Sequence, residues 1–313
     1  MRKLLLITGP TAAGKTGLGV RLAQALDGEV VSADSMQVYR GLDIGTAKPT
    51  VEDMAGIPHH MIDVVEPDER YSVARYVAEA AMCVDDIFAR GKLPILVGGT
   101  GLYIDSLLLG RTFAAAPDAA DVREALHIRY DQEGGEALWR ELEQIDLETA
   151  ARLHPNDRKR VLRALEVHHL TGQTMAAHNA ATRRIPPRYE AVKIALTARD
   201  RAALYRRIDQ RVDAMIVAGL QREVEGLLQG GLSPESTAMQ AIGYKEMARA
   251  VRGEITPEEA IALIKRESRR YAKRQLSWLR RNPAMRWIAW ADEADLDAAL
   301  QTSTEICRGE GLS

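Results

Sequence analysis

The chain has 313 residues, 46% of them hydrophobic, with 42 Lys+Arg against 44 Asp+Glu for a formal charge of −2. Those figures exclude a disordered or uniformly basic protein, and no apolar run approaches the ~18 residues of a membrane helix. Two cysteines, Cys83 and Cys307, exclude a disulfide framework and a cysteine-built zinc site. The charge is unevenly spread. Residues 151–281 carry 26 basic and 14 acidic side chains, and the other 182 residues carry 16 and 30. A basic face on an acidic body is compatible with a nucleic-acid partner.

Residues 3–8 form a short apolar run that leads straight into glycines, which fits a buried first strand and not a secretory leader. The expectation is a cytoplasmic protein with no membrane association. Residues 15–26 have helical spacing, 29–33 read as a second strand, 71–90 as a long helix and 94–97 as a fully apolar strand. Strands apolar on both faces and alternating with helices predict a parallel sheet covered on both sides. From about residue 114 to 184 the pattern is helical only, over 120–132, 135–144, 147–153 and 157–171, with Asn156 or Asp157 as the cap of the last. A strand at 189–196, helices at 202–228 and 260–279, a strand at 285–290 and a helix at 296–307 complete the chain. The expected fold is α/β, a P-loop NTPase-like parallel sheet core with an inserted all-helical domain. Its parts are residues 1–114, an insertion at 115–187, and residues 188–313.

Gly9-Pro10-Thr11-Ala12-Ala13-Gly14-Lys15-Thr16 fits the P-loop pattern in the required strand–loop–helix context. Its backbone N–H groups would turn toward phosphate oxygens at a helix N-terminus. Lys15 would reach a terminal phosphate and the Thr16 hydroxyl would ligand Mg²⁺. Nucleotide hydrolases of this class end a core strand in an acidic residue that holds the cation, whereas 94–97 runs into Gly98-Gly99-Thr100-Gly101. Asp34, after the second strand, is the carboxylate near the loop. It reads either as an acid/base group or as a turn former, since Asp-Ser is a common turn pair. A small-molecule kinase and a non-catalytic RNA-binding module remain the rival readings of the residues alone.

Eight blocks then resemble one family: residues 34–40 (DSMQVYR), 43–49 (DIGTAKP), 58–63 (PHHMID), 98–103 (GGTGLY), 154–157 (HPND), 163–167 (RALEV), 242–245 (IGYK) and 271–275 (YAKRQ). Together they are similar to the bacterial tRNA dimethylallyltransferases, also called tRNA isopentenyltransferases, and with the P-loop they cover residues 9 to about 280. The resemblance implies transfer of the dimethylallyl group of dimethylallyl diphosphate to N6 of adenine 37 of a tRNA, with Mg²⁺ assisting. The partners would be a tRNA anticodon stem-loop and that donor, and the enzyme would be a monomer.

By position, the resemblance makes Asp34 the general base toward the adenine amine and Thr100 the donor to the bridging oxygen of the diphosphate. Residues 9–16 would bind the diphosphate, with Arg207 or Arg211 as a further clamp. The tRNA contacts it implies are Asp34-Ser35-Met36-Gln37, Arg123, Lys159-Arg160-Val161-Leu162-Arg163, Gln240-Ala241-Ile242-Gly243-Tyr244-Lys245 and Lys273-Arg274-Gln275-Leu276-Ser277-Trp278-Leu279-Arg280. Ser35 and Gln37 suit base edges; the Lys and Arg residues suit phosphates.

The run from Lys265 to Arg281 has eight basic residues and one acidic, Glu267. A solvated helix would alternate signs, so the run is read as an RNA face with Glu267 turned away. His59-His60 is read as structural or part of a substrate loop. Met36, Met54, Met61 and Met82 are read as core filler.

Overall fold

The computed structural model describes residues 2–111, 113, 119–291 and 295–312. In chain order the elements are β1 (Lys3–Thr8), α1 (Lys15–Ala25), β2 (Gly28–Ala33), α2 (Val51–Met54), β3 (His59–His60), α3 (Val73–Ala89), β4 (Leu93–Gly98) and α4 (Gly101–Leu108). Five helices follow: α5 (Ala119–Glu133), α6 (Gly135–Ile145), α7 (Leu147–Ala150), α8 (Arg158–Thr171) and α9 (Met175–Arg183). The chain returns through β5 (Glu190–Ala198), α10 (Arg201–Ala218), α11 (Leu220–Gln229), α12 (Tyr244–Val251), α13 (Pro257–Leu279), β6 (Arg286–Trp290) and α14 (Leu296–Gly309).

The six strands form one parallel sheet in the order β3-β2-β4-β1-β5-β6. Successive strand residues point to opposite faces, and β1 shows the consequence. Leu4 and Leu6 enter one apolar cluster with α3, α4 and the later helices, while Leu5 and Ile7 enter another with α1 and α14. Both faces are covered, so the strand is apolar throughout, as the sequence predicts. From β1 the chain moves through α1 to β2 on one side of β4, and later enters the sheet again at β5 on the other side of β1. Ligands bind open α/β sheets at the carboxyl ends of strands where the order reverses in this way. The three loops expected to carry chemistry leave β1, β2 and β4, adjacent or next-adjacent strands.

The chain divides into two compact units, Met1–Leu108 with Arg188–Ser313, and Leu109–Pro187. The expected boundary at 114/115 lies outside the described residues. The second unit has its own core of Leu126, Leu138, Leu142, Val161 and Leu165. Within it Trp139 Nε1 donates to the Ala150 and Leu153 carbonyls at 3.2 and 3.0 Å.

Several expected elements differ. The single helix at 202–228 is two, because Gly219 takes φ 105° and its N–H closes on the Ile216 carbonyl at 3.0 Å. The 147–153 helix is one turn, and Asp157 sits at the N-cap of α8 without a side-chain cap bond, pairing with Arg160 at 3.3 Å instead. The sequence reading missed α2, β3, α4, α9 and α12. It also started α13 three residues late, although Thr256-Pro257-Glu258-Glu259 is a capping box with proline at the first turn.

Candidate active site

The P-loop turns between β1 and α1. Gly9 takes φ 148°, and a Cβ there would overlap the Leu196 carbonyl of β5, so the loop can leave the sheet only with glycine at this position. Lys15 begins α1 and its Nζ donates to the Pro10 carbonyl at 2.8 Å. Burial, with the neighbouring Arg211 charge, lowers the Lys15 ammonium from 10.5 to about 8; the Asp34 carboxylate opposes that shift.

Arg207 and Arg211 lie four residues apart on α10 and so share a face. Arg207 Nε donates to the Ala12 carbonyl at 3.1 Å, with its guanidinium 5.0 Å from the Trp290 ring centre. Arg211 reaches Thr11 Oγ1 at 3.5 Å and lines the cavity described below. Burial lowers its pKa, Asp34 opposes this, and Arg207 adds to it.

Asp34 follows β2. Its Oδ1 accepts the Met36 and Gln37 N–H groups at 2.9 and 3.3 Å, a turn-forming arrangement, while Oδ2 makes no hydrogen bond among the described residues. Asp34 is thus a turn former through Oδ1, and the residue also borders the cavity described below. Thr100 follows β4. Its N–H donates to the Ala33 carbonyl at 3.1 Å and its Oγ1 accepts the Ser35 N–H at 3.1 Å, so the loops after β2 and β4 are stitched together.

A cavity of about 450 Å³ runs over these strand ends. Thr11, Lys15, Thr16 and Arg211 border it at the cradle. Asp34, Met36 and Gln37 border it from the loop after β2, Met215, Ile264 and Tyr271 from helices, and Ile242 from the turn before α12. It has the charge for a phosphorylated group and the apolar wall for a short hydrocarbon. His59 also borders it, its Nδ1–H donating to the Ile57 carbonyl at 2.8 Å, and burial lowers its pKa. His60 instead faces Glu29 at 2.8 Å.

The structure separates residues that the sequence groups. Gln37, expected to read a base edge, donates to the Thr46 and Ala47 carbonyls at 3.2 Å each and accepts from Ser32 Oγ at 3.3 Å. Tyr244 is fully buried, its hydroxyl bonded to Glu223 and to the Gly45 N–H, where it anchors the loop at 43–48. Val161, Leu162 and Leu279 are buried core, so their side chains are unavailable to a partner, while Ala241 is largely buried but borders the cavity. Trp278 donates to Asp105 at 2.9 Å. Gln275 is buried between Thr11 and Gly99.

Of residues 273–280, the ones that do face outward are Lys273, Arg274 and Ser277 of α13 and Arg280 at its C-cap. Gln240 is exposed; Ile242 and Lys245 are half-buried on the cavity wall. In the second unit Arg123 and Arg163 share the buried Glu166 at 2.6 and 2.9 Å, and Lys159 and Arg160 are exposed. Glu267 pairs with Arg266 and Arg270 at 3.2 and 2.8 Å.

Met82 is 73% exposed, not core filler, and Met36 lines the cavity. Tyr271 escaped the sequence reading as a site residue. Its hydroxyl sits beside Thr100 and Gln275, and burial together with Asp34 pushes it up to about 12. Its position four residues before Gln275 on one helix face was the available signal.

The family model described as IPP transferase matches residues 37–282, and one described as isopentenyl transferase matches residues 2–65. A curated protein from Pelotomaculum thermopropionicum named tRNA dimethylallyltransferase is 46% identical over 306 residues, which is 98% of this chain and 96% of that one. The crystal structure of the full-length tRNA isopentenylpyrophosphate transferase of Bacillus halodurans is 42% identical, with a TM-score of 0.74 over 99% of this chain and 97% of that one. A eukaryotic dimethylallyltransferase described as acting on tRNA is 29% identical, with a TM-score of 0.83 over 99% of this chain and 79% of that one.

Proposed function

The chain belongs to the IPP transferase family, and we propose that it moves the dimethylallyl group of dimethylallyl diphosphate to N6 of adenine 37 beside a tRNA anticodon. It is a tRNA-modifying prenyltransferase; the donor, the acceptor atom and the residue roles are the proposal. The observation that carries it is a single cavity bordered by both a diphosphate cradle and the Asp34 carboxylate.

The reaction needs little covalent machinery. The N6 lone pair forms a bond to the allylic carbon as that carbon's bond to the diphosphate oxygen breaks, and the electron pair leaves with the diphosphate. An adenine amine is a weak nucleophile, so it must be held and must lose its proton late. Asp34 Oδ2 is the oxygen placed to accept that proton, because Oδ1 is already held by two N–H groups. Thr100 Oγ1 accepts the Ser35 N–H at 3.1 Å and donates to Ser35 Oγ at a long 3.4 Å; turned from that contact, its hydroxyl proton is the group that would meet charge developing on the bridging oxygen. Lys15 and Arg211 neutralise the outer phosphate oxygens; of the two candidate clamps, Arg211 lines the cavity and Arg207 is committed to Ala12 and Trp290.

Among the described residues no cluster of three His, Cys, Asp or Glu side chains could hold a metal. The Thr16 hydroxyl with diphosphate oxygens is a hard-oxygen set that suits Mg²⁺ keeping several waters. When bound, Mg²⁺ would supply further neutralisation of the departing diphosphate.

An adenine in an anticodon loop must be splayed out to enter such a cavity. In the first unit the exposed cations Lys273, Arg274 and Arg280 suit RNA phosphates, and in the second Lys159 and Arg160 do. The insertion is proposed to grip the anticodon stem. No helix among the described residues is long and apolar enough to cross a membrane; action as a monomer in the cytoplasm is part of the proposal. Purified protein, labelled dimethylallyl diphosphate and unmodified tRNA, caught on a filter, test the reading. Label should pass to the RNA without ATP. ATP turnover with no label transfer would overturn it in favour of a kinase.

A further inference from the structure

We infer that Gln275 is a positioning residue that fixes the distance between the diphosphate cradle and the Thr100–Asp34 pair, and is not a contact for tRNA. The inference rests on the proposed transfer reaction. Gln275 sits on α13 among the outward cations Lys273, Arg274 and Arg280, yet it is only 6% exposed. Its Oε1 accepts the Thr11 N–H at 2.8 Å, and its Nε2 donates to the Gly99 carbonyl at 3.0 Å. A backbone N–H can only donate and a carbonyl can only accept, so these two neighbours dictate which end of the amide points where.

The contact is close on both sides. A Cβ at position 99 would overlap Gln275 Nε2, so Gly99 is the residue type that admits the bridge. From Gly99 the linkage continues without a gap: Thr100 N–H to the Ala33 carbonyl, and Ser35 N–H to Thr100 Oγ1, on either side of Asp34. The helix behind the amide is itself held to α10 by Arg269–Asp209 and Lys265–Asp213, both at 2.6 Å. Loops after β1 and β4 thus meet through one side chain, and those loops hold the leaving group and the group that steadies it.

No other side chain makes both bonds at neutral pH. Asparagine is a methylene short, methionine fills the space with neither bond, and an ionised carboxylate keeps the Thr11 bond but sets oxygen against the Gly99 carbonyl. A protonated carboxyl restores both, since its O–H can donate to Gly99. That gives a readout that simple packing would not move.

The test measures single-turnover transfer and tRNA binding by wild type, Gln275→Met and Gln275→Glu, with both substrates saturating. Both variants should lose roughly 10–100-fold in rate, as expected for a misplaced reacting pair, while the tRNA Kd stays within about twofold. The rate of Gln275→Glu relative to wild type should climb several-fold as the pH falls from 8 to 6, and that of Gln275→Met should stay flat. Unchanged rates with weakened tRNA binding would overturn the inference and return Gln275 to the RNA face. Gln275→Glu tracking Gln275→Met at every pH would also overturn it. Absence of transfer by the wild type would instead count against the reaction itself.

Discussion

Two carboxylates at opposite ends of β2 have opposite surroundings. Glu29, near the start of the strand, is 3% exposed at its side chain and receives both nitrogens of Arg90 and the ring of His60. Those partners, Arg90 foremost, hold its pKa at about 2. Asp34, just past the other end, has one oxygen tied into its own turn, the other without a hydrogen bond among the described residues, and borders a cavity shared with Lys15 and Arg211. A carboxylate whose partners are all supplied by the fold stabilises it. One with an oxygen left over, at the carboxyl end of a parallel strand, is available for chemistry.

Asp34→Asn should break this contrast most severely. The amide keeps the turn oxygen but cannot take a proton, so transfer should fall by about a thousandfold, with tRNA affinity and Tm nearly unchanged. Wild-type rates would return Asp34 to a turn former.

At the other end, Arg90→Ala should lower Tm by about a few degrees by leaving the buried Glu29 under-paired. Thermal unfolding checks this, and single-turnover transfer should be unaffected. Because the folded pKa of Glu29 is depressed, its contribution is full above the ordinary 4.5 and fades as pH falls toward about 2. The variant should lose that acid-sensitive component, and an unchanged acid profile would count against it.

Lys15 sharpens the functional end. Its pKa of about 8 should rise when an anion binds beside it. Affinity for inorganic diphosphate should therefore be flat at low pH and fall as pH rises above about 8, by up to tenfold per unit. Calorimetry in buffers of different ionisation enthalpy should register proton uptake near pH 8; no uptake would mean Lys15 does not face the anion.

The smallest effect belongs outside the cavity. Lys273→Ala should weaken tRNA binding a few-fold and reduce the salt slope by about one, with kcat preserved. An unaltered slope would make that helix face merely solvated.

Much of this was legible in the sequence because it rests on local pattern. The apolar runs at β1 and β4, the glycine spacing of the P-loop and the helix-only stretch each follow from residues close together in the chain. What was not legible depends on contacts between distant segments. A two-residue edge strand carries no periodicity, so His59-His60 gave no sign of β3, nor of His60 closing on Glu29. Gly219 sits in an otherwise helical run, and only its positive φ shows the break. Gln275 and Tyr244 lie in segments read as an RNA surface, but α13 and α12 turn them inward against Gly99 and Gly45. Met82 lies three or four residues from Glu79, Asp85 and Asp86 on α3, so its spacing already put it off the buried stripe of Tyr76, Ala80, Val84 and Ile87.

The central claim is that one cavity brings an allylic diphosphate to an adenine amine beside Asp34. Its most direct test is the identity of the labelled atom after a single turnover on an anticodon stem-loop, read by nuclease digestion and mass spectrometry. The label should lie on N6 of adenine 37 and vanish when that base is replaced by purine, which lacks the amine. Label at another atom, or undiminished label on the purine-substituted RNA, would contradict the account.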